Sequence, residues 1–380
     1  MKKSLIIILL IFFAVKAFPQ KTAFDSTVVR GIKEIYNLQF PDAEKTFNNI
    51  IAKYPNKPQG RFFLAMIDWW KILVDPDNES YDDIFYQKLD SVIDQCDDLL
   101  DKNSNNEDAL FFKGGAIGFR GRLRAFRDSW LKAANDGRIA LPIVEKAGKL
   151  DPKNVDVQLG YGIYNYYASV IPDDYPVIKP LMIFFPPGNK KQGIRQLKNV
   201  AWNGLYAKYE AQYFLMTLYF NYEKDPFKAE KWAKMLTMEF PDNPVFERWS
   251  GRIEVKKGDY FAADSIFKDI MKKAGKNYYG YNIPNVKREA TYYIAFKAKM
   301  VNDLTTAKNY FNQCVKYSQM IDKKEASGFI INAYLYLGMI DDMQGNRNEA
   351  VGYYKKLLDL REFGNSHKLA EKYLKQPYKK

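Results

Sequence analysis

The sequence is poor in the residues that most often carry catalysis or hold metals. It has one histidine, His367, and two cysteines, Cys96 and Cys314, in 380 residues. Zinc sites need several such ligands close together, and nucleophilic pairs join a serine or a cysteine to a histidine. A phosphate-binding loop, in which clustered glycines precede a lysine, is also missing. We therefore expect a protein that is not an enzyme and that uses no cofactor and no metal.

Two cysteines are too few to stabilise an exported chain by a set of disulfide bonds. Cys96 and Cys314 lie far apart in sequence, and nothing in their spacing indicates a pair. Stability must then come from packing, and we expect both to be buried free thiols.

Carboxylates are abundant, but the visible pairs do not form a hydrolytic site. Asp173 and Asp174 are neighbours, as are Asp341 and Asp342. Adjacent residues on a helix point about 100° apart, whereas a glycosidase needs two carboxylates that converge on one bond. We interpret both pairs as surface acidic residues.

The first seventeen residues have the pattern of an export signal. Lys2 and Lys3 precede the apolar stretch Leu5–Val15, and cleavage after Ala17 is plausible. The apolar stretch is too short for a comfortable membrane span, and no cysteine is near for lipid attachment. We predict export to the bacterial periplasm or the outer membrane, not as a lipoprotein, with an uncleaved anchor as the alternative.

The net charge is strongly positive, at +13, and falls to +10 if residues 1–17 are removed. Such an excess can attract anionic membranes, lipopolysaccharide or acidic proteins. Basic and acidic residues are interleaved along the chain, however, so we interpret most of them as a solvated helical surface. The sequence has no nucleic-acid-binding motif, and we expect no such partner.

A unit of about 34 residues recurs along the chain. Numbered within one unit, positions 4, 7, 8, 15, 20, 24 and 27 are filled by Tyr334, Leu337, Gly338, Gly345, Ala350, Tyr354 and Leu357. This pattern resembles the tetratricopeptide repeat, in which helix A and helix B pack antiparallel. Small residues at positions 8 and 20 let the two helices approach, and larger ones at 24 and 27 fill the gap towards the next unit. A proline at position 32 ends helix B.

The same frame returns from one end of the chain to the other. It is marked at position 20 by Ala43, Ala140, Ala229, Ala263, Ala307 and Ala350. The sequence therefore predicts an all-α fold, a right-handed tetratricopeptide-like solenoid of antiparallel helix pairs that forms a single superhelix over residues 22–375. We expect degenerate hairpins at 58–135 and a polar cap helix at 366–375.

The middle of the chain has a second, more specific pattern. Its matching residues, spread over 157–204, are Gly160, Gly162, Ser169, Pro172, Gly188 and Gly193. They resemble the central segment of the eukaryotic inclusion-body clearance and outer-membrane family of tetratricopeptide proteins and its uncharacterised bacterial relatives. That resemblance implies a helical-repeat fold and no known chemistry. An apolar, proline-rich connector covers 172–193, and we favour a buried plug over an exposed patch for its apolar part, 177–187.

Candidate ligand-binding residues follow from the repeat frame. In tetratricopeptide arrays, helix A positions 2, 5, 9 and 12 line the concave groove. Transferred to this sequence, the frame predicts a groove lined by Tyr161, Tyr164, Phe214, Asn221, Arg248, Arg252, Tyr292, Phe296, Lys299, Asn332 and Met339. Aromatic rings, cations and amides of this kind suit an extended peptide.

A second candidate is a stripe of arginines on one helical face, formed by Arg120, Arg124 and Arg127. Arginine forks match carboxylates and phosphates, so the stripe is a possible anion site. Salt bridges to the Asp-rich helix at 94–101 are the interpretation that we favour.

These patterns predict a non-catalytic scaffold in the cell envelope that recognises a protein or a peptide. The alternative is a carrier that holds a lipid or another amphiphile inside the superhelix, with possible contact to a membrane surface. The partner and the oligomeric state stay open.

Overall fold

The computed structural model describes residues 22–174 and 185–379, and these residues form helices joined by short turns, without a strand. The predicted export signal and residues 175–184 of the predicted connector lie outside the described residues. The α-helices that the structure describes are α1 (Ala23–Tyr36), α2 (Phe40–Lys53), α3 (Gln59–Val74), α4 (Asp82–Lys102), α5 (Glu107–Phe126), α6 (Trp130–Leu150), α7 (Gln158–Asp174), α8 (Lys190–Asn203), α9 (Lys208–Asn221), α10 (Pro226–Glu239), α11 (Pro244–Lys257), α12 (Tyr260–Gly275), α13 (Pro284–Met300), α14 (Leu304–Ile321), α15 (Gly328–Met343), α16 (Arg347–Leu358) and α17 (Ser366–Lys375).

Consecutive helices pack against each other along the whole described chain, which makes an α-solenoid of hairpins. The odd-numbered helices α1 to α15 are helix A of their hairpins, and the even-numbered helices α2 to α16 are helix B. The final helix, α17, packs against α15 and α16. The region predicted as degenerate, 58–135, contains the α3–α4 hairpin and most of a hairpin formed by α5 and α6, which continues to Leu150. Among the described helices, none combines the length and the apolar character that a membrane span needs.

Short polar residues begin several of the B helices. The carboxylates of Asp225, Asp259 and Asp303 each accept a hydrogen bond from the backbone N–H three residues later. Each bond satisfies one of the four donors that a helix leaves open at its N-terminus, which is worth about 1 kcal/mol. The starts of these B helices are therefore marked in the sequence by capping residues as well as by the hydrophobic periodicity.

The two helices of a unit are joined by an aromatic ring that lies on a glycine. Phe267 follows Gly251 by sixteen residues, and a Cβ atom at Gly251 would lie 2.6 Å from its ring. Phe47 covers Gly31 in the same way, and Tyr354 covers Gly338. Only a residue without a side chain leaves room for the ring, which explains why glycine occupies position 8 in these units.

The same rings also contact the following unit. Phe47 stacks on Phe63 of α3 with centroids 5.4 Å apart, and Phe267 stacks on Tyr293 of α13 at 5.0 Å. In the last unit, Tyr354 lies 5.8 Å from Tyr373 of α17. Position 24 fills the gap towards the next unit, as predicted, but its contact with helix A of its own unit was not anticipated.

The first helices of the chain pack against its middle. The Tyr36 hydroxyl donates to Glu210 of α9 at 3.0 Å, and the Asn243 amide donates to the Tyr36 carbonyl at 2.8 Å. On α3, the Trp70 ring lies 5.3 Å from Phe246 of α11. A single hydrophobic core consequently runs from Val28 to Ile253. The first part of the superhelix is closed by its own N-terminal helices.

The interior of this closed part is filled by an arginine among aromatic rings. The guanidinium of Arg122 lies 4.6 Å from the Trp69 ring and 4.4 Å from the Phe214 ring. It also forms an ion pair with Glu210, whose side chain is buried. Side chains from α3, α5 and α9 therefore meet in the interior of this part and fill the space there.

Glycines also explain how closely α7 and α8 approach. A Cβ atom at Gly162 would lie 2.8 Å from the Leu197 side chain, and one at Gly193 would lie 2.7 Å from the Tyr166 backbone nitrogen. Gly188 is equally close to the α7 backbone, 2.6 Å from the Ser169 nitrogen. The glycines of the second sequence pattern thus serve close helix packing.

Both cysteines are buried free thiols, as predicted from the sequence. Burial raises the pKa of Cys96 and of Cys314 to about 12. Both side chains are therefore protonated at neutral pH and behave as small apolar residues.

The glycine–ring contact yields a prediction with a matched control inside one unit. Replacing Gly338→Ala places a methyl group against the Tyr354 ring, so we expect the free energy of unfolding to fall by about 1–3 kcal/mol. Gly352→Ala on α16 meets no atom within 4 Å, and it should raise the unfolding free energy by about 0.5–1 kcal/mol through helix propensity alone. Urea unfolding followed by circular dichroism measures both. Equal effects of the two substitutions would contradict the contact.

Candidate functional site

The structure separates the predicted site residues into three groups. Tyr161 and Tyr164 lie apart from the others, on α7. The Tyr161 hydroxyl bonds to backbone carbonyls of α6, at Val144 and Glu145, and the Tyr164 ring stacks on Phe185. Both tyrosines therefore serve contacts with α6 and with the chain that returns to α8.

A second group is buried. Phe214 lies in the interior beside Arg122, and Arg248, Tyr292 and Met339 are also buried, each less than one tenth exposed. A ligand on the surface does not reach these side chains without rearrangement, so their predicted contact with a ligand has no support in the geometry. These buried side chains support the exposed surface of the A helices from the interior.

The third group is at least partly exposed on helix A of four successive units. It comprises Asn221, Arg252, Phe296, Lys299 and Asn332. Asn221 ends α9, and the others lie on α11, α13 and α15. These residues are brought together because the A helices contact one another side by side.

A buried carboxylate links α11 to α13. Glu289 accepts hydrogen bonds from Arg248 at 2.8 Å and from Arg252 at 2.5 Å and 2.8 Å. Burial would raise the pKa of the Glu289 carboxyl, but the two guanidinium groups outweigh it and hold that pKa at about 2. One negative charge thus faces two positive charges, and Arg252 keeps a face towards solvent.

Aromatic rings beside these charges complete a continuous surface. On α9 and α11, the Phe220 and Trp249 rings lie 5.2 Å apart, with Lys256 5.4 Å from Phe220 and Arg252 5.1 Å from Trp249. Such pairs of a cation with a ring gain about 0.5–1 kcal/mol each at exposed sites.

The surface continues on α13 and α15. Phe296 lies 5.7 Å from Tyr336, and the Lys299 ammonium lies 5.2 Å from the Tyr336 ring. Asn332 is one helical turn before Tyr336 and partly exposed. We call this whole surface the aromatic–cationic strip, and its members are Phe220, Trp249, Arg252, Lys256, Phe296, Lys299, Asn332 and Tyr336.

Four members of the strip were missed by the sequence frame: Phe220, Trp249, Lys256 and Tyr336. A usable signal was present, because Trp249, Arg252 and Lys256 follow the i, i+3, i+7 spacing of one helical face. The frame considers only four positions of each helix A, whereas more positions of helix A are exposed in this fold.

The arginine stripe is structural. Arg120 and Arg124 both pair with Asp136 of α6, whose side chain is almost fully buried, at 3.0 Å and 2.6 Å. Arg127 pairs with Asp82, at 2.6 Å. The favoured interpretation as salt bridges holds, and two of the partners, Asp82 and Asp90, lie on α4, the helix that contains 94–101, although before that segment. The third partner, Asp136, lies on α6.

No group of three histidine, cysteine or acidic side chains in 22–174 or 185–379 is placed to hold an ion. Asp341 pairs with Lys308 and Asp342 with Arg347, so the two carboxylates point to different partners. Both side chains are buried, which corrects the interpretation of this pair as surface residues. The ring of His367 bonds to the Leu360 carbonyl. These side chains are engaged in packing and capping.

The Glu289 cluster predicts a specific dependence of stability on pH. The pKa of Glu289 is about 2 in the folded state against an ordinary value of 4.5, so its stabilisation is present above pH 4.5 and is lost as the pH falls towards 2. We expect this component to be roughly 3 kcal/mol and to vanish in Glu289→Gln. Urea unfolding over this pH range measures it. Exposed Glu325→Gln is the control, and an unchanged pH dependence in Glu289→Gln would refute the assignment.

Comparisons with known proteins agree with the repeat architecture. The tetratricopeptide repeat model matches residues 332–361, which cover most of α15 and all of α16. No curated protein matches the sequence. The resemblance of the middle of the chain to the inclusion-body clearance family stays a prediction.

Three solved structures similar to this chain are distant from it in sequence. A chain of the APC/C hetero-tetramer Cut9–Hcn1 has 13% identity and a TM-score of 0.49, over 89% of this chain and 52% of that one. This chain thus spans about half the length of that relative. The C-terminal part of a TPR repeat-containing protein from Cytophaga hutchinsonii has 14% identity and a TM-score of 0.38, over 80% and 98% of the two chains. Yeast Tom70 has 12% identity and a TM-score of 0.40, over 93% and 81%.

Two observations on this chain indicate its fold. Its sequence matches the repeat model at residues 332–361, and three of its eight described hairpins share the same glycine–ring contact. The chain contains a tetratricopeptide repeat, and its described helices form a tetratricopeptide-like α-solenoid.

Proposed function

We propose that the protein is a non-catalytic scaffold whose aromatic–cationic strip binds an extended, acidic segment of another protein. The observation that carries the proposal is the strip itself: partly exposed rings on four successive A helices, each accompanied by a cation or an amide. Tetratricopeptide folds typically serve protein–protein interaction, and the strip is the surface here that has suitable chemistry.

The charge balance of the strip favours carboxylates in the partner. Arg248 and Arg252 share the single carboxylate of Glu289. Within the described chain no carboxylate pairs with Lys256, which is exposed above the Phe220 ring. The strip therefore presents more positive than negative charge, and an acidic segment gains both steering and charge-assisted hydrogen bonds.

The apolar part of the strip favours aromatic or aliphatic side chains between those carboxylates. Trp249, Phe296 and Tyr336 present ring faces and edges that are partly exposed. Rings of this kind supply contact area at low entropic cost, and they dominate the energetics of many interfaces. The side-chain amide of Asn332 can pair with a peptide backbone.

The alternative of a lipid carrier gains no support from the interior. The space around Arg122 is occupied by Trp69, Phe214 and neighbouring rings. Of these two roles, we propose protein binding.

The place of action is also a proposal. The basic, apolar and small-residue pattern of residues 1–17 supports export, so we propose that the protein works in the bacterial cell envelope. N-terminal sequencing of the protein from fractionated cells tests this. A chain that starts near residue 18 in the periplasmic or outer-membrane fraction supports it, and an intact N-terminus in the cytoplasm contradicts it.

Selection from a library of displayed random peptides tests the strip. We expect selected peptides to combine Asp or Glu with aromatic residues, and Lys256→Glu/Lys299→Glu to weaken their binding by about tenfold or more. Calorimetry or fluorescence anisotropy with a selected peptide gives the dissociation constants.

The matched control is Lys316→Glu/Lys355→Glu, which makes the same charge change at exposed positions of α14 and α16. These helices lie outside the strip, so the control should bind almost normally. An equal loss in both double variants would show that net charge alone decides binding, and the strip would not be the site. Selected peptides without any acidic residue would also contradict the proposed partner chemistry.

A further inference from the structure

Three B helices present parallel stripes of exposed residues on the outer face of the solenoid. Each stripe follows the i, i+4, i+7, i+11 spacing of one helical face. The stripe of α8 is Lys191, Arg195, Lys198 and Trp202; that of α10 is Phe227, Lys231, Lys234 and Met238; that of α12 is Phe261, Ser265, Lys268 and Lys272. We call these twelve residues the outer basic face.

Large apolar side chains stand at the ends of these stripes and are strongly exposed. Trp202 is 51% exposed, Phe227 68%, Phe261 64% and Met238 83%. Single exposed apolar residues are ordinary on protein surfaces. Four of them within one face, interleaved with cations, are a pattern that favours an apolar neighbour.

Most of the cations of this face have no carboxylate partner. Among the described residues, no ion pair involves Lys191, Arg195, Lys198, Lys231 or Lys272. Lys234 and Lys268 do pair, with Glu230 and Asp264 of their own helices. No position of the twelve is acidic. Positive charge therefore exceeds negative charge on these twelve positions.

The stripes lie side by side. The Lys231 ammonium of α10 is 5.2 Å from the Trp202 ring of α8, and the Trp202 ring is 5.7 Å from Trp232. Lys234 of α10 and Ile266 of α12 line one cleft, together with Glu230, Glu247 and Glu254, whose carboxylates form ion pairs with lysines. Helices of 14 residues are about 21 Å long and pack about 10 Å apart, so the face measures roughly 20 by 20 Å.

The opposite sign of charge gathers elsewhere on the outside of the solenoid. Asp94, Asp98 and Asp101 are exposed on one face of α4. A molecule with a basic face and a separate acidic face is oriented by an anionic surface before it touches it.

We propose that the outer basic face docks on an anionic lipid bilayer, with Trp202, Phe227, Phe261 and Met238 at the level of the headgroups. Lysine is depleted at the centre of protein–protein interfaces, whereas helices that lie on membranes combine lysines with Trp, Phe and other apolar residues. Each Lys or Arg near an anionic leaflet adds electrostatic attraction, and five unpaired cations are sufficient for reversible binding. The peptide-binding strip, on the A helices, stays free when the B helices face the lipid.

Vesicle flotation tests the proposal. Vesicles of phosphatidylcholine are compared with vesicles that also contain phosphatidylglycerol, at low and high salt. The protein is used whole and without residues 1–17, because the apolar stretch Leu5–Val15 can itself insert into lipid. We expect binding to the anionic vesicles only, and weaker binding at high salt. Absence of binding by the chain without residues 1–17 would overturn the proposal.

Substitutions on the outer basic face separate the contribution of its charge from that of its apolar side chains. Lys191→Glu/Lys198→Glu/Lys231→Glu should weaken vesicle binding by roughly a hundredfold or more. Trp202→Ala/Phe227→Ala should weaken it by about tenfold or more, since each side chain loses its apolar contact with lipid. The control Lys45→Glu/Lys316→Glu/Lys355→Glu makes the same charge change at exposed positions elsewhere and should keep most of the binding. Thermal unfolding by circular dichroism checks that each variant is folded.

Soluble polyanions discriminate the bilayer from other anionic partners. Dextran sulfate and poly-glutamate carry charge but no apolar layer, so both should compete weakly. If either binds more tightly than the vesicles, or if Trp202→Ala/Phe227→Ala leaves vesicle binding unchanged, the face recognises charge alone and the lipid proposal fails.

Discussion

The contact between a glycine of helix A and an aromatic ring of helix B is the constraint on which the rest of this structure depends. Phe47, Phe267 and Tyr354 each lie on a glycine sixteen residues earlier and each touch the next helix along the array. One ring therefore fixes both the distance within a unit and the offset between units. Because interiors pack to crystal-like density, a ring held on two sides leaves little freedom for the relative placement of three helices.

This regular stacking gives the chain two surfaces with different chemistry. Successive A helices meet on the inside, where Trp70, Arg122 and Glu210 close the first part and Trp249 and Phe296 remain accessible in the second. Successive B helices meet on the outside, where the outer basic face carries lysines and exposed rings. A scaffold needs such a separation if it is to bind one partner without losing contact with another surface.

The sequence predicts the fold well because the repeat is local. Gly338 and Tyr354 lie within one hairpin, and Asp225 or Asp259 caps the helix that immediately follows it, so short-range periodicity and capping suffice to place them. The buried free thiols of Cys96 and Cys314 followed from the small number of cysteines and their wide spacing.

The site was harder to predict because its limits are set by distant contacts. Phe214 and Arg248 occupy groove positions of the repeat frame. Arg122 nevertheless covers the Phe214 ring, and the Arg248 guanidinium donates its hydrogen bonds to Glu289 and Asn285. The closure by Tyr36 and Asn243 joins residues more than two hundred positions apart, and no repeat pattern encodes such a pairing. Trp249 and Lys256 escaped notice because the exposed face of α11 is wider than the four positions of the frame.

A double-mutant cycle on Gly251 and Phe267 tests the central contact most directly. Gly251→Ala, Phe267→Leu and the double variant are unfolded in urea, and the three changes in unfolding free energy are compared with the unsubstituted protein. If the ring lies on the glycine as described, the smaller leucine accommodates the new methyl group. The double variant should then be more stable than the sum of the single changes by about 1–2 kcal/mol. Additivity within about 0.5 kcal/mol would mean that the two residues do not touch, and the account of how the units are spaced would be wrong.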